Sequence, residues 1–401
     1  MAARTRRRSY CMLRYNTVVP LRVAAMSLHA FALLLVLPQT PGPSIDAMPP
    51  APDGRGAAAV AYAPDRRVLF VYGGIGTLPR AFDDVWELSP EGWQEVGPGS
   101  RSGGLPSNEG PGGRFNAAAA HHAGTGTTVI HGGGGIDETL ADTWGWDGTG
   151  WVLLAGSAAG PPARTCARMV EHAATGDLVL FGGQAADGRL LDDTWTWNGR
   201  AWARQEGPGP PAACFHGMAY DAARGRTVLF GGRGPGGETW EWDGRTWHRA
   251  ATSGPAGRDH HAMGYDPRSR RVVVHGGGGQ DASGGWDGSV LSDTWAWDGS
   301  TWTRLPDSGP ARMHAPGAVR ADALGGLLLF GGSDLEESHA DLWLFDGERW
   351  RPALPGQMDV DVEGPGDRSA HVLPSDPPYR SRSSFRSVAG GGGGVRAEIS
   401  E

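Results

Sequence analysis

The sequence predicts an all-β protein built from six similar units. Three observations indicate this fold class. A pair of Trp seven residues apart occurs six times, and a Gly-Gly pair after a short apolar run also occurs six times. The 66 Gly and 30 Pro among 401 residues favour turns, while an apolar fraction of 39% still supplies a core.

The Trp pairs are the first landmark. Twelve of the 17 Trp lie in these pairs, and four more follow the first Trp of a pair by two residues, which leaves only Trp286 outside the pattern. An acidic residue stands two positions before the first Trp of every pair. The pairs are Trp86 and Trp93, Trp144 and Trp151, Trp195 and Trp202, Trp240 and Trp247, Trp295 and Trp302, and Trp343 and Trp350.

Two further landmarks precede each Trp pair in the same order. An apolar run ends at Gly-Gly, and about 18 residues before it an Arg usually opens a strand of small residues. The glycine pairs are Gly73 and Gly74, Gly132 and Gly133, Gly182 and Gly183, Gly231 and Gly232, Gly276 and Gly277, and Gly331 and Gly332. The arginines are Arg55, Arg114, Arg164, Arg258 and Arg312, with Ala213 in the fourth unit.

Each unit predicts four short antiparallel strands. An alternating run such as residues 59–62 follows the Arg, and a β-branched run ending at Gly-Gly suits a strand buried on both faces. The Trp-x-Trp segment alternates as a pleated strand does. Asp-Gly or Asn-Gly then predicts a tight hairpin with positive φ at both central residues, and the closing Trp begins the outer strand.

These landmarks resemble the kelch motif, which combines Gly-Gly after an apolar strand, an acidic residue before a Trp, and a second Trp seven residues on. The resemblance covers roughly residues 55–350 and departs in using Trp where the family often has Tyr. It implies a kelch-type, galactose oxidase-like β-propeller with six four-stranded blades. Seven blades remain an alternative, because residues 364–371 repeat the start of a unit although no Trp pair follows.

The Trp residues are therefore expected to be structural. A blade cannot bury its faces alone, and large indoles fill the wedge between twisted sheets. The acidic residue before the first Trp is expected to accept a hydrogen bond from that indole N–H, or from the backbone at the turn. A sugar-stacking role is open only to the irregular Trp286.

The chain divides into three segments. Residues 1–47 resemble a secretory signal, with basic residues, an apolar run at 23–37 and a cleavage position at Ala47. A start at Met26 and an uncleaved anchor are the alternatives, although 15 apolar residues are short for a membrane span. We expect an exported protein, periplasmic or extracellular, with no stable membrane span after processing.

The propeller is expected at residues 48–375, and residues 376–401 are expected to be a flexible, low-complexity tail. The boundaries of the repeats are predicted near 55–113, 114–163, 164–212, 213–257, 258–311 and 312–367, with a closing strand at 368–374.

The charge and the cysteine content limit which classes of ligand and partner are expected. The formal net charge is −8 and all 36 basic residues are Arg, so a basic face for nucleic acid is not expected. Cys166 and Cys214 occupy similar places in units three and four, where a disulfide is conceivable but two buried thiols are favoured. No CxxC pair is present, which excludes a Cys-based zinc site of that type. We expect a monomer.

Common catalytic motifs are absent from the sequence: it has no GxSxG, no HExxH and no P-loop. Copper radical oxidases share the kelch fold, but seven Tyr and two mature Cys in strands do not favour their cross-linked site. No cofactor is expected. Calcium is the one alternative, from acidic residues in the loops after Gly-Gly: Asp137, Glu138, Asp187, Asp281, Asp334, Glu336 and Glu337.

Candidate ligand-binding residues come from the inner strands and from the Gly-Gly loops. Inner strands line the central channel, so His260, His261, His314, Arg258 and Arg312 could converge there on an anionic ligand or a metal. The alternative is structural, because kelch repeats often begin Arg-x-x-His. Three further candidates lie towards the loop rim: Trp286, in the longest loop, and His131 and His275, which replace the apolar residue before Gly-Gly.

Three function classes follow. The first is an exported binding module that holds a protein or glycan on its loop face, since the blades are complete and no catalytic constellation is evident. The second is a sugar-modifying enzyme, because some secreted bacterial kelch propellers with six blades are sialic-acid mutarotases and this chain is similar in repeat number and export. The third is a structural or assembly protein. Arg, His and Glu side chains that converge in the channel would favour the enzyme. Exposed aromatic residues at the channel mouth would favour the binding module.

Overall fold

A computed structural model describes residues 51–353, except 77–80, 98–109, 136, 235–236, 314–317, 323–325 and 335, together with two short strands nearer the C-terminus. The described residues form β-strands and no α-helix. No helix there has the length and apolar character needed to cross a membrane. His314 and the predicted segments 1–47 and 368–374 lie outside the described residues.

Each blade is an antiparallel sheet of consecutive strands, four in five of the blades and five in blade five. Blade one contains β1 Ala59–Ala63, β2 Val68–Tyr72, β3 Val85–Ser89 and β4 Gly92–Glu95. Blade two contains β5 Ala118–His122, β6 Thr127–His131, β7 Thr143–Trp146 and β8 Trp151–Ala155. Blade three contains β9 Arg168–His172, β10 Asp177–Phe181, β11 Thr194–Trp197 and β12 Trp202–Gln205.

The remaining blades repeat the pattern with one elaboration. Blade four contains β13 Gly217–Asp221, β14 Arg226–Phe230, β15 Thr239–Trp242 and β16 Trp247–Ala251. Blade five contains β17 Arg258–Asp259, β18 Ala262–Asp266, β19 Arg271–Gln280, β20 Trp286–Trp297 and β21 Trp302–Arg304. Blade six contains β22 Ala318–Ala321, β23 Gly326–Phe330, β24 Leu342–Phe345 and β25 Trp350–Ala353, and a separate pair is β26 Arg386–Val388 with β27 Arg396–Glu398.

The six blades close into a β-propeller, as the sequence predicts. The second Gly of each Gly-Gly pair donates a backbone hydrogen bond to the carbonyl at the Arg position of the next blade. Blade six completes this series, because Gly332 N donates to Arg55 O of blade one at 3.2 Å. An apolar cluster that includes Val71 and Trp86 of blade one and Phe330 of blade six fills the same junction. Blades six and one are therefore neighbours, and no seventh blade separates them.

The hairpin turn between the two Trp differs from the expected one. In blade two Trp146 pairs with Trp151, which leaves a four-residue loop, and only Gly148 has positive φ, at 97°. The Asp147 carboxylate accepts the backbone N–H groups of Thr149 and Gly150 at 2.8 and 2.9 Å. The side chain thus closes the turn, so a two-residue turn with positive φ at both central residues was the wrong prediction.

The Trp residues join strands and blades. The first Trp of every pair donates its Nε1–H to the acidic residue two positions earlier, as expected; the bond from Trp195 to Asp193 measures 2.7 Å. The closing Trp reaches the preceding blade, where Trp247 donates to Thr194 Oγ1 at 2.9 Å. Most of these indoles are buried or half-buried between sheets, which confirms their structural role.

A buried ion pair links the Arg landmark to the Trp landmark in five blades. In blade three Arg164 donates Nη1 and Nη2 to the Asp193 carboxylate at 2.6 and 2.8 Å, and Nη1 also donates to Gly182 O at 2.9 Å. One carboxylate thereby accepts both the guanidinium and the indole of Trp195. The equivalent pairs are Arg55 with Asp84, Arg114 with Asp142, Arg258 with Asp293, and Arg312 with Asp341.

In blade four both partners of this ion pair are replaced. Ala213 stands at the Arg position, and the acid is Glu238, which accepts from Trp240 and from the exposed Arg249 at 3.0 Å. The two changes go together, because a buried carboxylate without its Arg would be left uncompensated.

We predict that Arg164→Ala lowers the free energy of unfolding by about 3 kcal/mol, because it leaves the partly buried carboxylate of Asp193 without its ion-pair partner. Arg249→Ala in blade four is the matched control and should cost less than about 1 kcal/mol, since that pair is exposed. Urea unfolding of the two variants measures the difference. Equal losses would contradict a supporting role for the buried pair.

Acid should weaken the fold through the same carboxylates. Burial raises the pKa of Asp84, Asp142, Asp193 and Asp293, but the hydrogen bonds and charges of their arginines outweigh it, and each pKa lies below its usual range. Their contribution is present above the unfolded-state pKa of about 3.9 and is lost as pH falls through the folded-state pKa.

We therefore predict that the free energy of unfolding falls as pH drops from about 5 to 2, and less steeply in Arg164→Ala, which has lost one of the four linkages. Urea midpoints measured across this range provide the readout. A stability independent of pH over the range would count against the linkage.

Candidate binding site in the central channel

The six inner strands surround a central channel with a cavity of about 430 Å³. We call the end beside the Gly-Gly loops the upper end, and the end beside the turns that follow the inner strands the lower end. The register of each inner strand against its neighbour fixes the height of its residues along the channel. For example, Ala59 pairs with Tyr72 next to Gly-Gly, and Tyr62 pairs with Leu69 further down.

A ring of backbone hydrogen bonds frames the upper end. In blades one to five one residue takes a left-handed conformation there, and in blades two to five its N–H donates to the carbonyl of the equivalent residue in the preceding blade at 2.8–3.1 Å. The residues in order are Ala57, Asn116, Cys166, Phe215 and His260. Side chains attached to this frame are held rigidly at the mouth.

Polar substitutions at the upper end fall in three neighbouring blades. His216 and His261 occupy the strand position at which blades one to three carry Ala58, Ala117 and Ala167. Arg168 likewise replaces the small residue found one position further down in the other described blades. Arg168 and His261 both line the cavity. Among the described residues, the upper end of the channel is therefore lined by small residues along blades one and two and carries polar side chains along blades three to five.

The two histidines are neutral and buried. Neither ring nitrogen of His216 or His261 has a hydrogen-bond partner within the described part of the chain. Burial, with the charge of Arg168 as a lesser cause, lowers the pKa of His216 to about 3. Burial also lowers the pKa of His261 well below its ordinary value, with Arg258 and Arg168 contributing. These rings can donate or accept hydrogen bonds as neutral groups.

His260 belongs to a second network at the same mouth. Its ring stacks on Phe215 with centroids 3.6 Å apart, and its Nδ1 lies 2.9 Å from Asp259 Oδ1. Arg233 contacts both Phe215 and Asp259. Its Cζ lies 5.4 Å from the Phe215 ring centroid, and its Nε lies 3.6 Å from Asp259 Oδ2. Because Arg233 is largely exposed, it presents a cation beside the channel mouth.

The cysteines lie at this mouth as free thiols. Cys166 and Cys214 are both buried, and the backbone bond from Phe215 N to Cys166 O brings their segments together. A hydrogen bond with Cys166, reinforced by burial, raises the pKa of Cys214. The favoured pair of buried thiols is what the structure shows, although the two are in contact rather than isolated.

The predicted long loop of blade five is a β-hairpin. Strands β19 and β20 continue beyond Gly-Gly, and Gln280 Nε2 donates to Gly232 O of blade four at 2.9 Å. A Cβ on Gly278 would lie 3.0 Å from Asp259 Oδ1 and 3.1 Å from Trp286 Cδ1, so these side chains gather at one place. Trp286 is 47% exposed, more than any other described Trp.

Four of the predicted ligand residues do not reach the channel or its rim: two arginines and, described next, two histidines. Arg258 and Arg312 are buried, and their guanidinium groups bind Asp293 and Asp341 inside their own blades. The expectation that these two arginines converge in the channel is therefore corrected.

His131 and His275 are buried between blades. His131 shares a hydrogen bond with Thr143 at 3.0 Å, and His275 shares one with Thr294 at 2.9 Å. They pack against Trp202 and Trp350 rather than reaching the rim, because the strand before Gly-Gly is buried on both faces.

Three of the acidic loop residues, Asp187, Asp281 and Asp334, close their own turns. Asp281 accepts hydrogen bonds from Ser283 and from Gly285 N, and Asp334 accepts the N–H groups of Glu336 and Glu337. Within the described residues no group of three or more His, Cys, Asp or Glu side chains is arranged to hold a metal ion.

A second set of polar residues, which the sequence landmarks did not reveal, lies at the lower end. One residue from each blade occupies the same height and faces the cavity, always 11 residues before the first Gly of its blade. That fixed distance is the sequence signal that could have found them. The six residues are Tyr62, His121, Glu171, Tyr220, Tyr265 and Arg320.

Comparisons with known proteins support the fold. The solved structure of YjhT is similar, with a TM-score of 0.58, 15% sequence identity, and coverage of 77% of this chain and 99% of that one. In all, 235 chains of solved structures match this one, and a fold so widely shared does not select one activity. No protein-family model matches the chain, and no curated protein matches it.

Proposed function

We propose that the protein is an exported kelch-type propeller that binds a protein or glycan ligand at its upper face. The six complete blades and the recurring Gly-Gly and Trp landmarks support the kelch assignment. The blade-five hairpin supports the location, because it is the one described Gly-Gly loop that extends into a β-hairpin with a large exposed aromatic residue next to its turn.

Trp286 is the observation that carries this proposal. Its Nε1 already donates to Ser289 O at 3.0 Å, so what it offers to solvent is the ring face. An indole face stacks well on a sugar ring or on a peptide side chain. The neighbouring Asp259 and Arg233 add an acceptor and a cation, which would fix the orientation of a polar ligand.

We predict that Trp286→Ala weakens ligand binding at least about tenfold, because it removes the stacking face at the centre of the proposed site. Thermal unfolding of the full chain with a panel of acidic and neutral sugars, followed by calorimetric titration of those that stabilise it, measures the effect. A ligand at 100 times its dissociation constant should stabilise the fold by about 2.7 kcal/mol.

Leu153→Ala is the matched control. Leu153 is 52% exposed, but it lies on the outer strand of blade two, away from the proposed face. It should leave binding unchanged. Equal losses in the two variants, or no loss in Trp286→Ala, would remove the hairpin from the site.

A second candidate is a sugar-modifying enzyme similar to the sialic-acid mutarotases. The observation that favours it is Arg168, a cation that lines the cavity beside the neutral His261. A guanidinium can hold a sugar carboxylate, and a neutral imidazole can move a proton at the anomeric centre.

We predict that, if this reading holds, the protein accelerates the exchange of sialic-acid anomers followed by proton NMR, and Arg168→Gln reduces kcat/KM at least about hundredfold. Arg204→Gln, at an exposed position on blade three, is the control and should keep full activity. Spontaneous exchange rates with the intact protein would exclude this reaction while leaving the binding role in place.

A further inference from the structure

The lower end of the channel carries a ring of six residues, one from each blade, that no part of the proposed function uses. Strand register places them at one height: in blade three Glu171 pairs with Leu178, and in blade six Arg320 pairs with Leu327. The equivalent pairings in the other blades place Tyr62, His121, Tyr220 and Tyr265 at that same height.

The two charged residues of the ring belong to opposite blades. Each side chain reaches towards the preceding blade, Glu171 to Ala123 N and Arg320 to the Tyr265 ring. Blades three and six are half a turn apart in a six-bladed ring, so the Glu171 carboxylate and the Arg320 guanidinium lie on opposite walls. Two of the tyrosines, in blades one and four, also lie on opposite walls. The ring thus has two poles, an acidic side chain on one wall and a basic one on the opposite wall, with aromatic side chains between them.

Both poles have unused hydrogen-bonding capacity. One oxygen of Glu171 accepts Ala123 N at 2.8 Å, which leaves its other oxygen without a hydrogen bond among the described residues. Arg320 donates Nε and Nη2 to Asp322, and its Nη1 makes no such bond within the described part of the chain. Asp322, which also lines the cavity, lies two residues after Arg320. Because this ion pair is exposed, a ligand carboxylate can compete for the guanidinium at little cost.

The wall directly above the ring is small and apolar. One residue per blade, at the position preceding the ring residue, lines the cavity as Ala61, Ala120, Val170, Ala219, Gly264 or Val319. A ligand lying across the ring would therefore place its ends at the two charges and a hydrocarbon or peptide spacer against this wall.

We propose that the lower end of the channel binds a small zwitterion, with its ammonium group on Glu171 and its carboxylate on Arg320. A lone anion would leave Glu171 unpaired, and a lone cation would leave the free Nη1 of Arg320 unused. A neutral sugar would pair with neither charged group. Burial raises the pKa of Glu171, and an ammonium group placed against it would lower that pKa again.

The first experiment measures ligand length on the full chain. A series of ω-amino acids (glycine, 4-aminobutyrate, 6-aminohexanoate and 8-aminooctanoate) and the oligoglycines of matching length are titrated by calorimetry and by saturation-transfer NMR. We expect affinity to peak at one end-to-end length. Capping either end, by N-acetylation or amidation, should weaken the best ligand at least about tenfold. Comparing the two series at equal length distinguishes an amino acid from a short peptide.

The second experiment exchanges the charges. Glu171→Gln and Arg320→Gln should each weaken the best ligand at least about tenfold. The double variant Glu171→Arg with Arg320→Glu should recover binding, because a zwitterion can enter in the reverse direction. The exposed pair on the outer strand of blade three supplies the controls Arg204→Gln and Glu206→Gln, which should bind normally.

Three results would overturn the proposal: no binding by any member of either series at millimolar concentration, an affinity that is independent of length, or an affinity that survives capping of both ends. All three are read on the unaltered protein, so poor folding of a variant cannot hide them. Trp286→Ala should leave zwitterion binding unchanged, which separates this site from the one proposed at the upper face.

Discussion

Five of the six blades depend on one interaction, in which a buried carboxylate accepts hydrogen bonds from both a guanidinium and an indole. In blade three Asp193 binds Arg164 and Trp195 together, which fastens the start of the inner strand to the third strand. The same Arg donates to the carbonyl of Gly182, so it also fixes the corner where the second strand ends. Charge-assisted hydrogen bonds of this kind are stronger than neutral ones, and burial excludes water that would compete for them.

The glycine pair follows from the same corner. A Cβ on Gly182 would lie 2.6 Å from the carbonyl oxygen of Ala213 in the next blade, and one on Gly183 would lie 2.7 Å from the carbonyl oxygen of Thr165. Both glycines have positive φ, so no other residue would fit without strain. Close approach of the backbones at this corner is what lets neighbouring blades share hydrogen bonds and aligns the inner strands around one channel.

Repeated features were predictable from the sequence, and features that break the repeat were not. The strand order, the partner of the first Trp and the six blades could be inferred because the same residues recur at the same spacing. The role of Arg258 was misread, since the sequence placed it at the inner strand but could not show Asp293 beneath it. The blade-five hairpin was expected to be a loop, because glycines and short polar residues dominate residues 276–289. The lower ring was missed because its six members share a position and not a residue type.

Closure of the ring has a consequence for how the chain folds. Every sheet is made from consecutive strands, so each blade contains only contacts between residues close in sequence. Five junctions join blades that are also covalently adjacent, whereas the junction between Gly332 and Arg55 joins the two ends of the ring by noncovalent contacts alone. That junction carries the whole loop-closure entropy of the propeller, which makes it the last to form and the first to open. The seam is therefore where local unfolding would first expose the apolar face of a blade to solvent.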